Sequence, residues 1–271
     1  MNSRRVLRLL AASAPFIASQ ALADDGPYAS PLDDRFRLTA GAFLASTTTT
    51  LRLDGAVPQS GTPISGENDL GLEHRNTLAN IEIMVGMRER HRVRLDFFKL
   101  DRSSSQPLVR QLQIRSDTYN IDDFVESHFD VRMFALTYAY SFLHKPHVDL
   151  AGSFGVNVME VHARALVRAR GVDQSKDAAG AFPTIGIDAT VPFSRRFYAE
   201  ARAEYLNVSI NDFDGSAENL HLGVLYRWQE NLAIGVGYRK FKVNLTSNQT
   251  GDTGEFALDN SGPQAFVRAS F

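Results

Sequence analysis

The sequence predicts an all-β fold, an antiparallel up-and-down transmembrane β-barrel of about 10 strands. Three observations predict it. Segments in which every second residue is apolar recur along the chain, the connectors between them alternate between short and long, and the last residue is an aromatic that ends such a segment. A two-residue period means that one face of a strand meets an apolar medium and the other a polar one.

The segments appear in order. Phe36, Leu38, Ala40, Ala42 and Leu44 alternate with Arg37, Thr39, Gly41 and Phe43. Ile81, Ile83, Val85 and Met87 alternate with Asn80, Glu82, Met84 and Gly86, and Val93, Leu95 and Phe97 with Arg92, Arg94 and Asp96. Phe134, Leu136, Tyr138, Tyr140 and Phe142 oppose Ala135, Thr137, Ala139 and Ser141. Val148, Leu150, Phe154, Val156 and Val158 oppose Asp149, Ser153, Gly155 and Asn157. Ile185, Ile187, Ala189 and Val191 oppose Thr184, Gly186, Asp188 and Thr190. Phe197, Ala199, Ala201, Ala203 and Tyr205 oppose Tyr198, Glu200, Arg202 and Glu204. Leu220, Leu222, Val224, Tyr226 and Trp228 oppose Asn219, His221, Gly223 and Arg227. Leu232, Ile234, Val236 and Tyr238 oppose Ala233, Gly235, Gly237 and Arg239. Ala265, Val267, Ala269 and Phe271 oppose Phe266, Arg268 and Ser270.

Four connectors are short and polar: 88–90, 144–147, 193–196 and 229–231. Five are longer and rich in Gly, Ser, Asp, Asn and Thr: 54–75, 102–122, 170–181, 211–217 and 247–260. That asymmetry predicts tight periplasmic turns, longer outer loops and both termini on the periplasmic side. Phe36, Phe142, Phe193, Phe197, Tyr226, Trp228 and Phe271 lie beside the short turns, where an aromatic girdle would meet the membrane interface. A soluble periplasmic β-sandwich is the runner-up fold. It does not explain faces that stay distinct over so many strands.

Composition bounds the location. Arg4, Arg5 and Arg8 precede an apolar run through Leu9, Leu10 and Phe16, and Ala21-Leu22-Ala23 forms a small-residue cleavage site. The chain divides into a signal peptide (1–23), a short periplasmic N-terminal segment (24–33) and the barrel (34–271). The chain has 271 residues, no cysteine and a formal net charge of -2. Cleavage removes three arginines and leaves the mature chain more acidic, which gives no support for nucleic-acid binding. An exported domain without disulfides must be held by a large core or a closed sheet. The mean hydropathy of -0.21 does not argue against a barrel, because only half of each barrel strand is apolar.

The C-terminal run from Gly262 to Phe271 resembles the signal strand of Gram-negative outer-membrane barrels, with Ala265 and Ala269 where larger apolar residues are commoner. The blocks Asn68–Leu72 and Arg90–Ser103 resemble a family of uncharacterised proteobacterial barrels of about this size. The resemblance implies a fold, a location in the cell outer membrane, contact with lipid and lipopolysaccharide, and Phe271 as a signal for the barrel-assembly machinery. It implies no activity.

The non-lipid faces carry Glu82, Arg94, Asp96, Asp188, Glu200, Arg202, Glu204, His221, Arg239 and Arg268. These predict a charge network in the lumen. It would plug a narrow barrel, or line a small pore. Glu200, Arg202 and Glu204 share one side of one strand, which makes Arg202 the expected partner of its two flanking acids. Arg239 and Arg268 would serve others across the lumen. No metal or cofactor motif appears, and there is no G-x-S-x-G. The expectation is a non-enzymatic barrel without cofactor.

An outer-rim enzyme and a small adhesin are the alternatives. Omptin-like proteases pair acids with a histidine, for which Asp122, Asp123, His128, Asp130, Asp212 and Asp214 are the candidates. A lipid hydrolase would need a serine beside a histidine such as His162 or His221.

Overall fold

The computed structural model describes residues 30–54, 61–114, 117–167, 172–210, 212–249 and 252–271. The predicted signal segment and residues 24–29 lie outside the described residues. The described residues form thirteen strands in order: β1 (Phe36–Leu53), β2 (Ile64–Ser65), β3 (Arg75–Arg88), β4 (His91–Pro107), β5 (Leu112–Ile114), β6 (Asp117–Tyr119), β7 (Phe124–Lys145), β8 (Val148–Val167), β9 (Val172–Pro192), β10 (Phe197–Ile210), β11 (Phe213–Gln229), β12 (Leu232–Gln249) and β13 (Asp252–Ser270).

Ten of them form one closed antiparallel sheet. β1 pairs with β3 on one edge and with β13 on the other, from Arg37↔Ser270 to Leu53↔Gly254. Closure leaves no exposed edge at this seam. It is finished by Phe271, whose N–H donates to the Phe36 carbonyl at 2.9 Å and whose carbonyl accepts from Arg35 and Phe36, both at 2.9 Å. The end where Phe36 and Phe271 lie is called the near end below, and the opposite one the far end.

The near-end turns are the predicted short ones. Strand register shifts beside three of them, between Gly86 and Arg88, Ser141 and Leu143, and Arg227 and Gln229. The far end corrects the sequence reading. Three predicted long loops are mostly strand: β9 already begins at Val172, β11 at Phe213, and β12 and β13 run to Gln249 and from Asp252. Gly-, Ser- and Asp-rich composition reads as loop, but cross-strand pairing continues through it, to Ile210↔Phe213 and Gln249↔Asp252. β9 and β10 are the exception, since they pair only from Tyr198↔Pro192 to Tyr205↔Ile185.

Each predicted apolar face points outward. Ile187 is 61% exposed and Val236 66%, with Leu136, Leu222 and Ile234 in the same belt. Beyond the belt, towards the far end, the two faces exchange character. On β4 the outward residues become Lys99, Asp101 and Ser103, while the inward series Arg94, Asp96 continues as Phe98 and Leu100. β7 (Phe129, Val131), β12 (Phe241, Val243) and β13 (Leu258) do the same. The barrel is polar inside where it is apolar outside, and the reverse above.

Candidate functional site

The candidate site is the interior, which is filled in layers. Nearest the near end, Arg227 Nη2 donates to Asp34 Oδ2 at 2.8 Å, and Arg37 Nε lies 3.6 Å from the same oxygen. Arg92 Nη2 donates to Asp149 Oδ1 at 2.6 Å, beside the Ser141 hydroxyl at 3.0 Å and His144 Nδ1 at 2.7 Å from Oδ2. The Phe266 ring packs with Tyr198, Leu225 and Ala233. A Cβ built on Gly235 would meet that ring at 2.5 Å and one on Gly41 the Phe266 Cβ at 2.8 Å, so glycine on the neighbouring strands is what admits it.

Above this lies the charge layer. Arg268 grips Glu200 with two parallel bonds, Nη1 to Oε2 at 2.6 Å and Nη2 to Oε1 at 2.9 Å, the fork geometry in which guanidinium and carboxylate match. Its Nε donates to Thr39 Oγ1 at 2.9 Å. His221 Nε2 lies 2.8 Å from Glu200 Oε1, and its Nδ1 2.7 Å from Gln264 Nε2. Arg202 donates to Glu82 at 2.9 Å and lies 3.6 Å from Asp96 and 3.8 Å from Asp188. Arg94 donates to Asp96 at 3.0 Å, to Asp188 at 3.1 Å and to Glu204 Oε1. Asn219 completes Glu204 at 2.9 Å. Arg239 is the least engaged, with Asp96 at 4.0 Å.

All ten sequence-selected residues therefore sit in one layer, but the pairing differs from expectation. Arg202 does not hold Glu200 or Glu204. Neighbours two apart on a strand can meet, as Arg94 and Asp96 do, but here Glu200 and Glu204 are taken by arginines from other strands. The long Arg202 guanidinium instead crosses the lumen to Glu82 and Asp96, while Arg268 and Arg94 reach the flanking acids. The pairing matters because an ion taken out of water costs several kcal/mol unless an opposite charge meets it. A space of about 40 Å³ remains among Arg37, Glu82, Arg94, Asp188 and Arg202, room for only a few waters.

The next layer is apolar. Phe43, Leu78, Phe98, Leu100, Phe129, Val131, Met133, Met159, Phe241, Val243 and Leu258 form one buried cluster, with Leu100, Val131 and Leu258 at 0% exposure. Phe98 and Phe241 meet edge to face at 5.4 Å between ring centres. Sequence reasoning stopped short of this layer, although the inward parity of β4 and β7, carried two residues further, points to it.

A cap sits at the far end. Ile64, Leu108, Leu112, Tyr119, Val125 and Val167 form its small core. Arg110 donates to both oxygens of Asp69 at 2.6 Å, and Asp69 Oδ2 accepts the Ser65 N–H at 2.7 Å. Burial pushes the Asp69 carboxyl up, but these bonds outweigh it and hold the group below its ordinary value. Arg102 donates to Glu67 at 2.6 Å and to the Thr49 hydroxyl, with its guanidinium 5.1 Å from the Phe129 ring centre.

The acids and histidines weighed for catalysis are not gathered. His128 and Asp130 point outward, and among the described residues no contact joins them to Asp212 or Asp214. Asp122 sits in an exposed turn at φ 67°. Asp101, His128 and Asp130 bring ligand atoms within 4.8 Å, but the Lys99 ammonium already lies 2.9 Å from Asp101 and 3.7 Å from Asp130. His162 bonds Asp177, and His221 belongs to the charge layer. The one serine–histidine hydrogen bond among the described residues is Ser46 Oγ to His74 Nε2 at 2.7 Å, and no ion pair joins His74 to a carboxylate there.

No family model matches the chain, and no curated protein matches it. Solved structures do. The outer membrane protease OmpT of Escherichia coli is similar at a TM-score of 0.53 and 11% identity, over 88% of this chain and 97% of that one. The translocator domain of the autotransporter NalP from Neisseria meningitidis gives a TM-score of 0.39 at 12% identity, over 88% of each chain. At 11% identity the likeness to OmpT shows a shared fold, the closed antiparallel barrel.

Proposed function

We propose that this chain is an integral barrel of the cell outer membrane with a structural role and a sealed lumen, without catalytic activity or cofactor. The observation that carries the sealed lumen is the filling of the interior at two successive levels. At one, four guanidinium groups interlock with five carboxylates. At the other, apolar side chains pack to zero exposure. Membrane insertion rests on the outward apolar belt, which a soluble barrel would not carry. Export rests on the N-terminal targeting pattern, and delivery by the barrel-assembly machinery on the terminal strand that ends in Phe271. Lipid and lipopolysaccharide would be the surrounding partners.

The test is a pair of measurements on purified protein. Unboiled protein is expected to migrate faster than boiled protein on a denaturing gel, and a planar bilayer is expected to show no steady conductance. Steady, ion-selective single-channel currents would move the chain to the narrow-channel class. Recovery as a soluble monomer without detergent would remove it from the membrane.

A further inference from the structure

We propose that the far mouth of the barrel holds a binding site for a small, mainly apolar molecule with one hydrogen-bonding group, of about phenol size. The site lies above the sealed layers, so it does not depend on whether the lumen conducts. A partly open cavity of about 100 Å³ lies between the cap and the barrel wall. Its walls are mostly apolar: Leu51, Ile64 and Leu70 on one side, Phe129, Ala163 and Ala165 on the other. An enclosed apolar cavity of about 150 Å³ takes up benzene, and this one, smaller at about 100 Å³ but open on one side, admits a single ring with part of it left outside.

Thr49, Ser127, His128, Arg164 and Ser175 also border it, and among them the Ser127 hydroxyl is buried without a partner. Ser127 is 4% exposed and lines the cavity, and its Oγ has no hydrogen-bond partner. Buried hydroxyls are almost always paired, so an unpaired one at a cavity marks where a ligand atom would complete it. The neighbouring Thr49 hydroxyl already has a partner, since it accepts from Arg102, and so is not left bare at the cavity as Ser127 is.

The cavity is also held open. The segment carrying Ile64 and Leu70 is tied by Arg110 to Asp69 and, through Glu67, by Arg102 to the wall. Without those clamps the apolar walls would close on one another, as apolar surfaces in water do. A wall fixed by ion pairs from one side and by sheet pairing from the other keeps the space preformed. The ligand then does not have to open it.

The experiment uses the full mature barrel in lipid nanodiscs and ligand-observed magnetic resonance with phenol and with toluene. Wild type is expected to bind both, phenol more tightly. Ser127→Ala is expected to weaken phenol by about threefold to tenfold, the worth of one hydrogen bond, and to leave toluene within about twofold. Ala163→Leu fills the cavity and is expected to abolish both. It also corrects for partition into lipid. Ala165→Leu replaces it where Ala163→Leu loses its heat-modifiable migration. Two results would overturn the proposal: wild-type signals no larger than those of a folded, filled variant, or an equal loss of phenol and toluene in Ser127→Ala.

Discussion

At the scale of single residues, the interior is decided by reach and by room. Arg202 shows reach. Its strand position suggested local partners, but a guanidinium on a long stem in a narrow lumen meets whatever lies opposite, here Glu82 with Asp96 and Asp188 close by. Removing one partner of a buried pair leaves uncompensated charge, so Arg202→Ala is expected to cost about 3–5 kcal/mol in denaturant unfolding. A loss below about 1 kcal/mol would mean that water already solvates these acids. Gly235 shows room. Its inward hydrogen faces the Phe266 ring, and a methyl there would sit 2.5 Å from ring carbons. Gly235→Ala is expected to destabilise by about 1–3 kcal/mol, and Gly235→Ala with Phe266→Leu by clearly less than the two changes summed. Which residues are inward was legible from parity alone. Which atoms touch was not, because parity carries no information across the lumen.

At the scale of elements, one rule governs β4, β7, β12 and β13: the polar and apolar faces exchange where the strand leaves the belt. Leu222 lies in the belt, and Arg there is expected to cost about 2–4 kcal/mol in lipid, as for a charge near mid-membrane. Leu258, fully buried on the inward face beyond the belt, belongs to the apolar core. Leu258→Ala is expected to cost about 2–5 kcal/mol, as in a soluble core. Unchanged stability in Leu222→Arg would place its strand in the wrong register. The sequence made the belt halves of the strands legible, because alternation with an apolar outer face is a strong signal. It hid the far halves. There Lys99, Asp101 and Ser103 look like the start of a loop, and the inward Phe98 and Leu100 that make them strand belong to the opposite parity. The terminal strand yields a separate expectation. Phe271 closes the sheet with backbone bonds that any last residue could make, and its ring is 67% exposed beside Phe36. So little burial contributes little stability. Deleting Phe271 is expected to lower the amount inserted in cells while barely changing the stability of refolded protein, measured by membrane yield and by urea unfolding. Equal yields would mean that the terminal aromatic is not a signal.

At the scale of the whole molecule, the layers act in series. On the proposed reading, the near-end ion pairs, the charge layer, the apolar layer and the cap follow one another along the interior, and a path for ions would cross all of them. Opening one therefore does not open the barrel. Arg202→Ala loosens the charge layer, yet the apolar cluster above it, with Leu100, Val131 and Leu258 at zero exposure, still excludes hydrated ions. Phe129→Ala with Phe241→Ala thins the apolar layer, yet Arg94, Arg202 and Arg268 with their acids still fill the section below. Each variant alone is expected to remain silent in a planar bilayer. Only the combined variant, with both layers opened, is expected to conduct, provided it still migrates as a heat-modifiable barrel. Steady conductance in Arg202→Ala alone would show that the apolar layer does not seal. Silence in a folded combined variant would shift the seal to the cap, where Asp69→Ala, which frees Arg110, is the next layer to open.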